Sequence, residues 1–176
     1  MQHQDHVQLI HQGISAPGGT WADLGSGGGA FTLALANLLG SGAHIYSVDQ
    51  DKRALQEQAR AMRARFPAVA VEYIVADFTR LLNLPPLDGI LLANSLHFVR
   101  HKGAVLDQLR SYLRPGGSLL LIEYNADHGN PWVPYPLSYP TWEKLAQQHG
   151  FGSTRLLATV PSRFLREMYA ALSIMF

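Results

Sequence analysis

Gly25, Gly27 and Gly29 fall at every second position of the run Trp21-Ala-Asp-Leu-Gly-Ser-Gly-Gly-Gly-Ala30. A short apolar stretch, containing Asp23, leads into them, and the apolar-periodic segment Phe31-Thr-Leu-Ala-Leu-Ala-Asn-Leu-Leu39 follows. Glycine tolerates positive φ and lets a ligand approach the main chain where a Cβ would collide. A strand that passes through such a turn into a helix N-terminus makes a corner able to hold a nucleotide. It commits this part of the chain to a strand feeding a helix. The corner alone does not say which nucleotide.

The rest of the chain repeats that alternation. A short helix is expected over His3–Gln12, stopped by Gly13, with Val7, Leu9 and Ile10 on its apolar side and His3, His6 and His11 on a solvated face. Strands are expected near Thr20–Leu24, Ala43–Val48, Val69–Val75, Leu87–Ala93 and Ser118–Ile122. Helices are expected over Phe31–Leu39, Lys52–Phe66 and Gly103–Leu113. Gly40-Ser-Gly42, Pro67 and Pro115-Gly-Gly117 supply the stops. Strands alternating with helices at these spacings imply crossover units and a parallel sheet covered on both faces. After the fifth strand the rhythm changes: Tyr124–Pro140 carries four prolines with Trp132, Tyr135 and Tyr139, and reads as a long ordered loop. A helix at Thr141–His149 and a strand at Gly152–Val160 follow. Phe164–Ile174 fits both periods, and a strand is preferred because it would pair with Gly152–Val160. The expected fold is α/β: a doubly wound, mostly parallel sheet with helices on both faces, seven strands, the C-terminal one antiparallel.

Composition narrows the function. At 176 residues, 47% hydrophobic and 15% charged, the chain is expected to be one domain, residues 1–176. A formal net charge of +1 gives no electrostatic reason to expect nucleic acid. The absence of Cys excludes disulfides and thiolate chemistry. No export signal or membrane-length apolar run is read, so a cytoplasmic setting is the default expectation.

Asp23, near the end of the first strand, and Asp49, Asp77 and Asn94, at the ends of the second, third and fourth, come from four separate places in the sequence. In an open parallel sheet, ligands bind outside the carboxyl ends of the strands. Asp49 lies 24 residues beyond Gly25 (49 − 25), where a carboxylate can accept from both ribose hydroxyls. Asp77 can accept from an exocyclic adenine amine, and Phe78 offers its amide and ring to the base.

Here the chain resembles the class I, Rossmann-like S-adenosylmethionine-dependent methyltransferases. The resemblance rests on Asp23-Leu-Gly-Ser-Gly-Gly-Gly29, Tyr46-Ser-Val-Asp49, Val75-Ala-Asp77 and Leu113-Arg-Pro-Gly-Gly117, with Trp142-Glu-Lys-Leu-Ala-Gln-Gln-His-Gly-Phe151 resembling a late helix and turn. It implies S-adenosylmethionine as cofactor, held by Asp23, Gly25, Ser26, Gly27, Gly29, Asp49, Gln50, Asp77, Phe78 and Asn94, and methyl transfer to a small-molecule acceptor. Gly25, Gly27 and Ala30 also satisfy a dinucleotide glycine spacing, so a nicotinamide-dependent oxidoreductase is the alternative. Asp23, two residues before the turn, serves a cationic amino-acid group better than a pyrophosphate. A non-catalytic cofactor-binding subunit is the alternative from outside enzymology.

His97, Glu123 and His128 are the titratable candidates for a base near the expected crevice, and the sequence ties none of them into a triad. His97 and His101 are four apart, but no third ligand accompanies them and no metal is expected. Tyr124, Trp132 and Tyr135 are the candidate acceptor-pocket walls, with residues 1–16 as a lid; a homodimer stays open as a further wall. The Asn-Pro-Pro-aromatic signature of base- and amine-methylating relatives follows the fourth strand, where this chain has Asn94-Ser-Leu-His97. That departure argues against exocyclic base methylation.

Overall fold

Seven strands and five helices, in a computed structural model that describes residues 1–176, follow the expected alternation. In chain order they are α1 (His3–Ile10), β1 (Gly19–Leu24), α2 (Ala30–Leu39), β2 (Ala43–Asp49), α3 (Lys52–Arg65), β3 (Ala70–Val75) and β4 (Leu87–Ala93). They continue with α4 (Lys102–Tyr112), β5 (Leu113–Tyr124), α5 (Tyr139–Gln148), β6 (Phe151–Ser162) and β7 (Arg166–Met175). The sheet order is β3-β2-β1-β4-β5-β7-β6. The first five strands are parallel, and β7 lies antiparallel between β5 and β6.

Both faces are covered, as a parallel sheet requires. Val7, Leu9 and Ile10 of α1, the apolar side of α2 and Met62 of α3 pack on one face. Val105, Leu106 and Leu109 of α4, with Trp142 and Ala146 of α5, pack on the other. Burial on two sides explains why β4 is almost continuously apolar, with Leu87, Ile90, Leu91 and Leu92 fully buried. Trp21 of β1 pairs in register with Gly89 of β4, and its ring occupies the space a Cβ at Gly89 would need.

The segment with two periods is a strand. Tyr169, Ala170 and Ala171 are all buried because β7 is central and its faces are both covered, which erases the alternation that marks a half-exposed strand. Its pairing with β5 also extends that strand past its expected end: Glu123 and Tyr124 lie opposite Tyr169 and Met168. At the other end, β5 reaches back to Leu113 through an irregularity between Leu87 and Gly89 of its partner β4.

One expectation for the N-terminal helix is corrected. His11 is exposed, but His3 and His6 are half-buried, with His6 edge-on to Phe31 of α2 at 4.7 Å between ring centres and His3 near Phe66. The helix packs on α2, so the His6 ring meets Phe31 there, while the His3 ring meets Phe66 just past the end of α3. No helix is long and apolar enough to cross a membrane.

Candidate functional site

The carboxyl ends of β1, β2, β3 and β4 open onto two adjoining cavities. The first, about 460 Å³, is lined by Gly25, Asp49, Gln50, Ala76, Asp77, Phe78, Thr79, Asn94, Ser95, Phe98 and Val99. The second, about 420 Å³, includes Asp23, Gly25, Ser26, Gly27, Asn94, Phe31 and His6. Gly25 and Asn94 line both, so the two form one trough across the strand ends.

The three alternating glycines have different reasons to be glycine. A Cβ at Gly25 would lie 2.5 Å from the Ser95 Cβ, and one at Gly29 would lie 2.2 Å from the Gln58 Cγ, so both accommodate the protein itself. Gly27 has φ +52° and nothing within 4 Å of a Cβ position, and Gly28 is equally open. Only at these middle glycines does the bare backbone border free space, a cradle that side chains would fill.

Asp49, at the end of β2, accepts from the Gly27 amide at 2.7 Å through one oxygen and from the Asp51 amide at 2.8 Å through the other. The cap of α3 is Asp51, which accepts from the Arg53 and Ala54 amides. Asp49 therefore keeps spare lone pairs for hydroxyl donors. Asp77 accepts from the Thr79 amide and hydroxyl at 2.9 and 2.7 Å through one oxygen. Those bonds hold its carboxyl below the usual range, so it is ionised at neutral pH with its second oxygen available. Replacing Asp49 with Ala is expected to weaken S-adenosylhomocysteine binding roughly 10-fold or more in calorimetry, through the lost charge-assisted bonds. Unchanged affinity would remove the ribose role.

Asp23 is the anomalous group. Its side chain is 1% exposed, and burial raises its pKa to about 7, against the Thr32 hydrogen bond and with the help of nearby Asp49. Oδ2 accepts from Thr32 Oγ1 at 2.5 Å, while buried Oδ1 has no partner. Behind it runs a relay that the sequence did not reveal. Gln58 of α3, fully buried, donates Nε2 to Thr32 Oγ1 and accepts from Ser47 Oγ at 2.6 Å. Ser26 Oγ lies 2.8 Å from Ser47 Oγ. A hydroxyl has one proton, so Ser47 gives its own to Gln58 and receives that of Ser26. All these bonds point one way, from the glycine turn to an accepting Asp23.

Asn94 has φ +54°, a left-handed conformation costly for a non-glycine residue, and a buried Oδ1 without a partner. Strain and an unpaired acceptor at one residue are characteristic of a ligand site. The orphaned oxygens of Asp23 and Asn94 and the open cradle at Gly27 fit an elongated ligand with a cationic amino-acid end, as S-adenosylmethionine has.

Beyond Asn94 the chain makes a 3-10 turn, Leu96–Phe98, that buries His97. Its Nδ1 lies 2.9 and 3.2 Å from the two oxygens of Glu123, at the end of β5, and Glu123 is fully buried and also accepts from the Tyr124 amide at 2.8 Å. The carboxylate fixes the proton on Nδ1 and leaves Nε2 with its lone pair. The His97 ring lies 4.3 Å from that of Phe98, which borders the first cavity, and 5.4 Å from that of Tyr124. His101, exposed at the start of α4, does not approach it.

Of the other candidates, Tyr124 is buried beside His97. His128 is exposed in the loop before α5, away from the trough lining. Trp132 and Tyr135 are 70% and 41% exposed and line neither cavity. The loop is nevertheless tied to the site through its backbone: the Tyr135 amide donates to the His97 carbonyl at 2.9 Å, and Lys102 Nζ bridges the Val99 and Tyr135 carbonyls. Ala76, Thr79, Ser95, Phe98 and Val99 are trough residues that sequence reasoning missed. Their common signal is position, just past the ends of β3 and β4.

Comparison with known proteins agrees with this geometry. Residues 16–151 match the family model described as a methyltransferase domain. Over 166 residues the chain is 24% identical to the highly reducing polyketide synthase aurA of Calcarisporium arbuscula, a match covering 80% of this chain and 7% of the synthase. The chain thus spans a small part of that curated relative's length. Among solved structures, an S-adenosylmethionine-dependent methyltransferase from Aquifex aeolicus superposes with TM-score 0.75 at 18% identity, covering 98% of this chain and 90% of its own. The CurJ carbon methyltransferase superposes with TM-score 0.70 at 17% identity, covering 94% and 50%. With the family model spanning more than three quarters of the sequence, the chain belongs to the methyltransferase-domain family, and it has the class I fold of S-adenosylmethionine-dependent methyltransferases.

Proposed function

We propose that residues 1–176 act as one methyl-transfer domain whose small acceptor becomes a nucleophile by losing a proton to His97. The observation that carries this reading is the buried His97–Glu123 pair, whose imidazole packs on Phe98 of the trough lining although neither residue lines the trough itself. S-adenosylmethionine supplies a methyl group already electrophilic on a sulfonium, whose sulfur leaves as a neutral thioether. The protein's work is then to align, to exclude water and to handle one proton. Alignment falls to Asp23, Asp49, Asp77 and Asn94, and holding reactants in line can supply ~7–11 kcal/mol of the barrier. Glu123 keeps His97 in the tautomer with a free Nε2 and stabilises the imidazolium once that nitrogen is protonated.

A base is superfluous for an acceptor that is already nucleophilic, such as a thioether or a tertiary amine. Its presence favours an acceptor with an acidic C–H or O–H. We read the acceptor as a carbon acid, with its C–H activated by flanking carbonyls. The polyketide synthase relative and the likeness to the CurJ carbon methyltransferase support that class.

The test supplies the chain with methyl-labelled S-adenosylmethionine and a panel containing a 1,3-dicarbonyl, a phenol and an amine. S-adenosylhomocysteine formation is followed, and the label is located by NMR. Label on the carbon between two carbonyls is the expected result. Label on oxygen or nitrogen alone, with the dicarbonyl untouched, overturns the carbon reading. Tight cofactor binding with no turnover on any acceptor would favour a non-catalytic binding subunit instead.

A further inference from the structure

Five buried side-chain polar atoms in the whole chain lack a partner: His3 Nε2, His6 Nδ1, Asp23 Oδ1, Asn94 Oδ1 and Trp142 Nε1. Three of them belong to residues that line one cavity, the half of the trough beside the glycine turn. Native structures leave few buried polar atoms unpaired, so three gathered around one space point to a ligand that completes them.

The chemistry of the three atoms differs. Asn94 Oδ1 and, once the carboxyl is ionised, Asp23 Oδ1 only accept, and they suit an ammonium group. His6 Nδ1 can donate, and His6 is the one side chain lining this cavity that can also carry positive charge. The amino-acid end of S-adenosylmethionine presents one ammonium and one carboxylate. Four amides of the turn are already engaged: those of Gly25 and Ser26 with the Val48 carbonyl, that of Gly29 with Ser26 and that of Gly27 with Asp49.

We propose that His6 of α1 binds the cofactor's α-carboxylate through Nδ1–H, which makes the N-terminal helix a wall of the cofactor site rather than a lid over the acceptor. The edge-on contact of its ring with Phe31, in the helix that follows the glycine turn, holds the imidazole in place. Burial and the neighbouring Met1 amine push its pKa below the ordinary value, with His3 acting the same way and Asp5 opposing, so the ring meets the carboxylate as a hydrogen-bond donor. This assignment rests on the cofactor reading given above.

Two ligands that differ only in the carboxylate test it. S-adenosylhomocysteine carries it; its decarboxylated analogue, S-adenosyl-3-thiopropylamine, keeps the ammonium and lacks it. In calorimetry of the full chain, His6→Phe keeps an aromatic ring against Phe31 and removes the donor. It should weaken S-adenosylhomocysteine binding roughly 10- to 100-fold while leaving the analogue's affinity unchanged. His6→Asn, whose amide nitrogen can take the place of Nδ1, should restore most of the loss. Equal weakening of both ligands, or no weakening of either, overturns the role of His6. If the unaltered protein binds neither ligand, the cofactor reading itself fails.

Discussion

Asp23→Asn is expected to weaken S-adenosylhomocysteine binding roughly 10- to 100-fold and, at pH 8, to make the ligand-free protein more stable. Both effects come from one buried carboxyl. Asn keeps an oxygen for the Thr32 hydroxyl but cannot meet a ligand ammonium with charge, and a hydrogen bond to a charged group is worth about 1.5–3 kcal/mol. The stability gain follows from linkage. The carboxyl titrates near 3.8 when unfolded and at about 7 when folded, so the folded state holds the extra proton between those values. That stabilisation is complete below pH ~4 and lost as pH rises through 7. Above it, the fold carries a desolvated anion at a cost of a few kcal/mol, at ~1.4 kcal/mol per pKa unit, and Asn removes that cost. The melting temperature at pH 8 should therefore rise several degrees, with little change at pH 4. In the native protein, cofactor binding near pH 7 should release a proton, visible as a dependence of binding heat on the buffer's ionisation enthalpy. Equal melting temperatures for the two proteins at pH 8 would show that Asp23 is not the strained group described here.

His97→Gln is expected to lower turnover about 10²- to 10⁴-fold, the usual worth of a positioned general base, while S-adenosylhomocysteine affinity stays within about twofold. Gln can still donate to Glu123, so the buried carboxylate is not left unpaired, a defect that would itself be destabilising. The acceptor's proton provides a second reading. With S-adenosylhomocysteine bound in place of the methyl donor, the native protein should exchange the activated C–H of a 1,3-dicarbonyl with deuterated water faster than the variant does. Loss of cofactor affinity in parallel with the rate would show that the pair braces the fold and does not act on the acceptor.

The strand ends and the glycine turn were legible because local rules fix them. An acid closing an apolar run before a turn, with a helix beyond, can lie only at the carboxyl edge of the sheet, and Asp49, Asp77 and Asn94 all lie there, with Asp23 facing the same trough from within β1. Gln58 was overlooked because α3 is otherwise strongly polar. The signal existed: Leu55, Gln58 and Met62, spaced three and four apart, form its buried stripe. The partnership of His97 with Glu123 spans 26 residues and depends on the neighbouring placement of β4 and β5, which no local pattern encodes. His6 was misread as solvated because its helix is amphipathic only over Val7, Leu9 and Ile10, and the contact that half-buries it comes from Phe31. In the proline-rich loop, the aromatics suggested pocket walls. The structure instead exposes Trp132 and part of Tyr135, and anchors the loop through main-chain bonds and through the Tyr169 hydroxyl, which donates to the Leu137 carbonyl at 3.1 Å.

The trough over β1, β2, β3 and β4 is the element on which the remaining assignments depend. Calorimetric titration of the purified chain with S-adenosylhomocysteine tests it directly. Saturable binding of one ligand per chain is predicted, abolished or strongly reduced together by Asp49→Ala and Asp23→Asn. A folded, monodisperse preparation that takes up no ligand at any accessible concentration would contradict it.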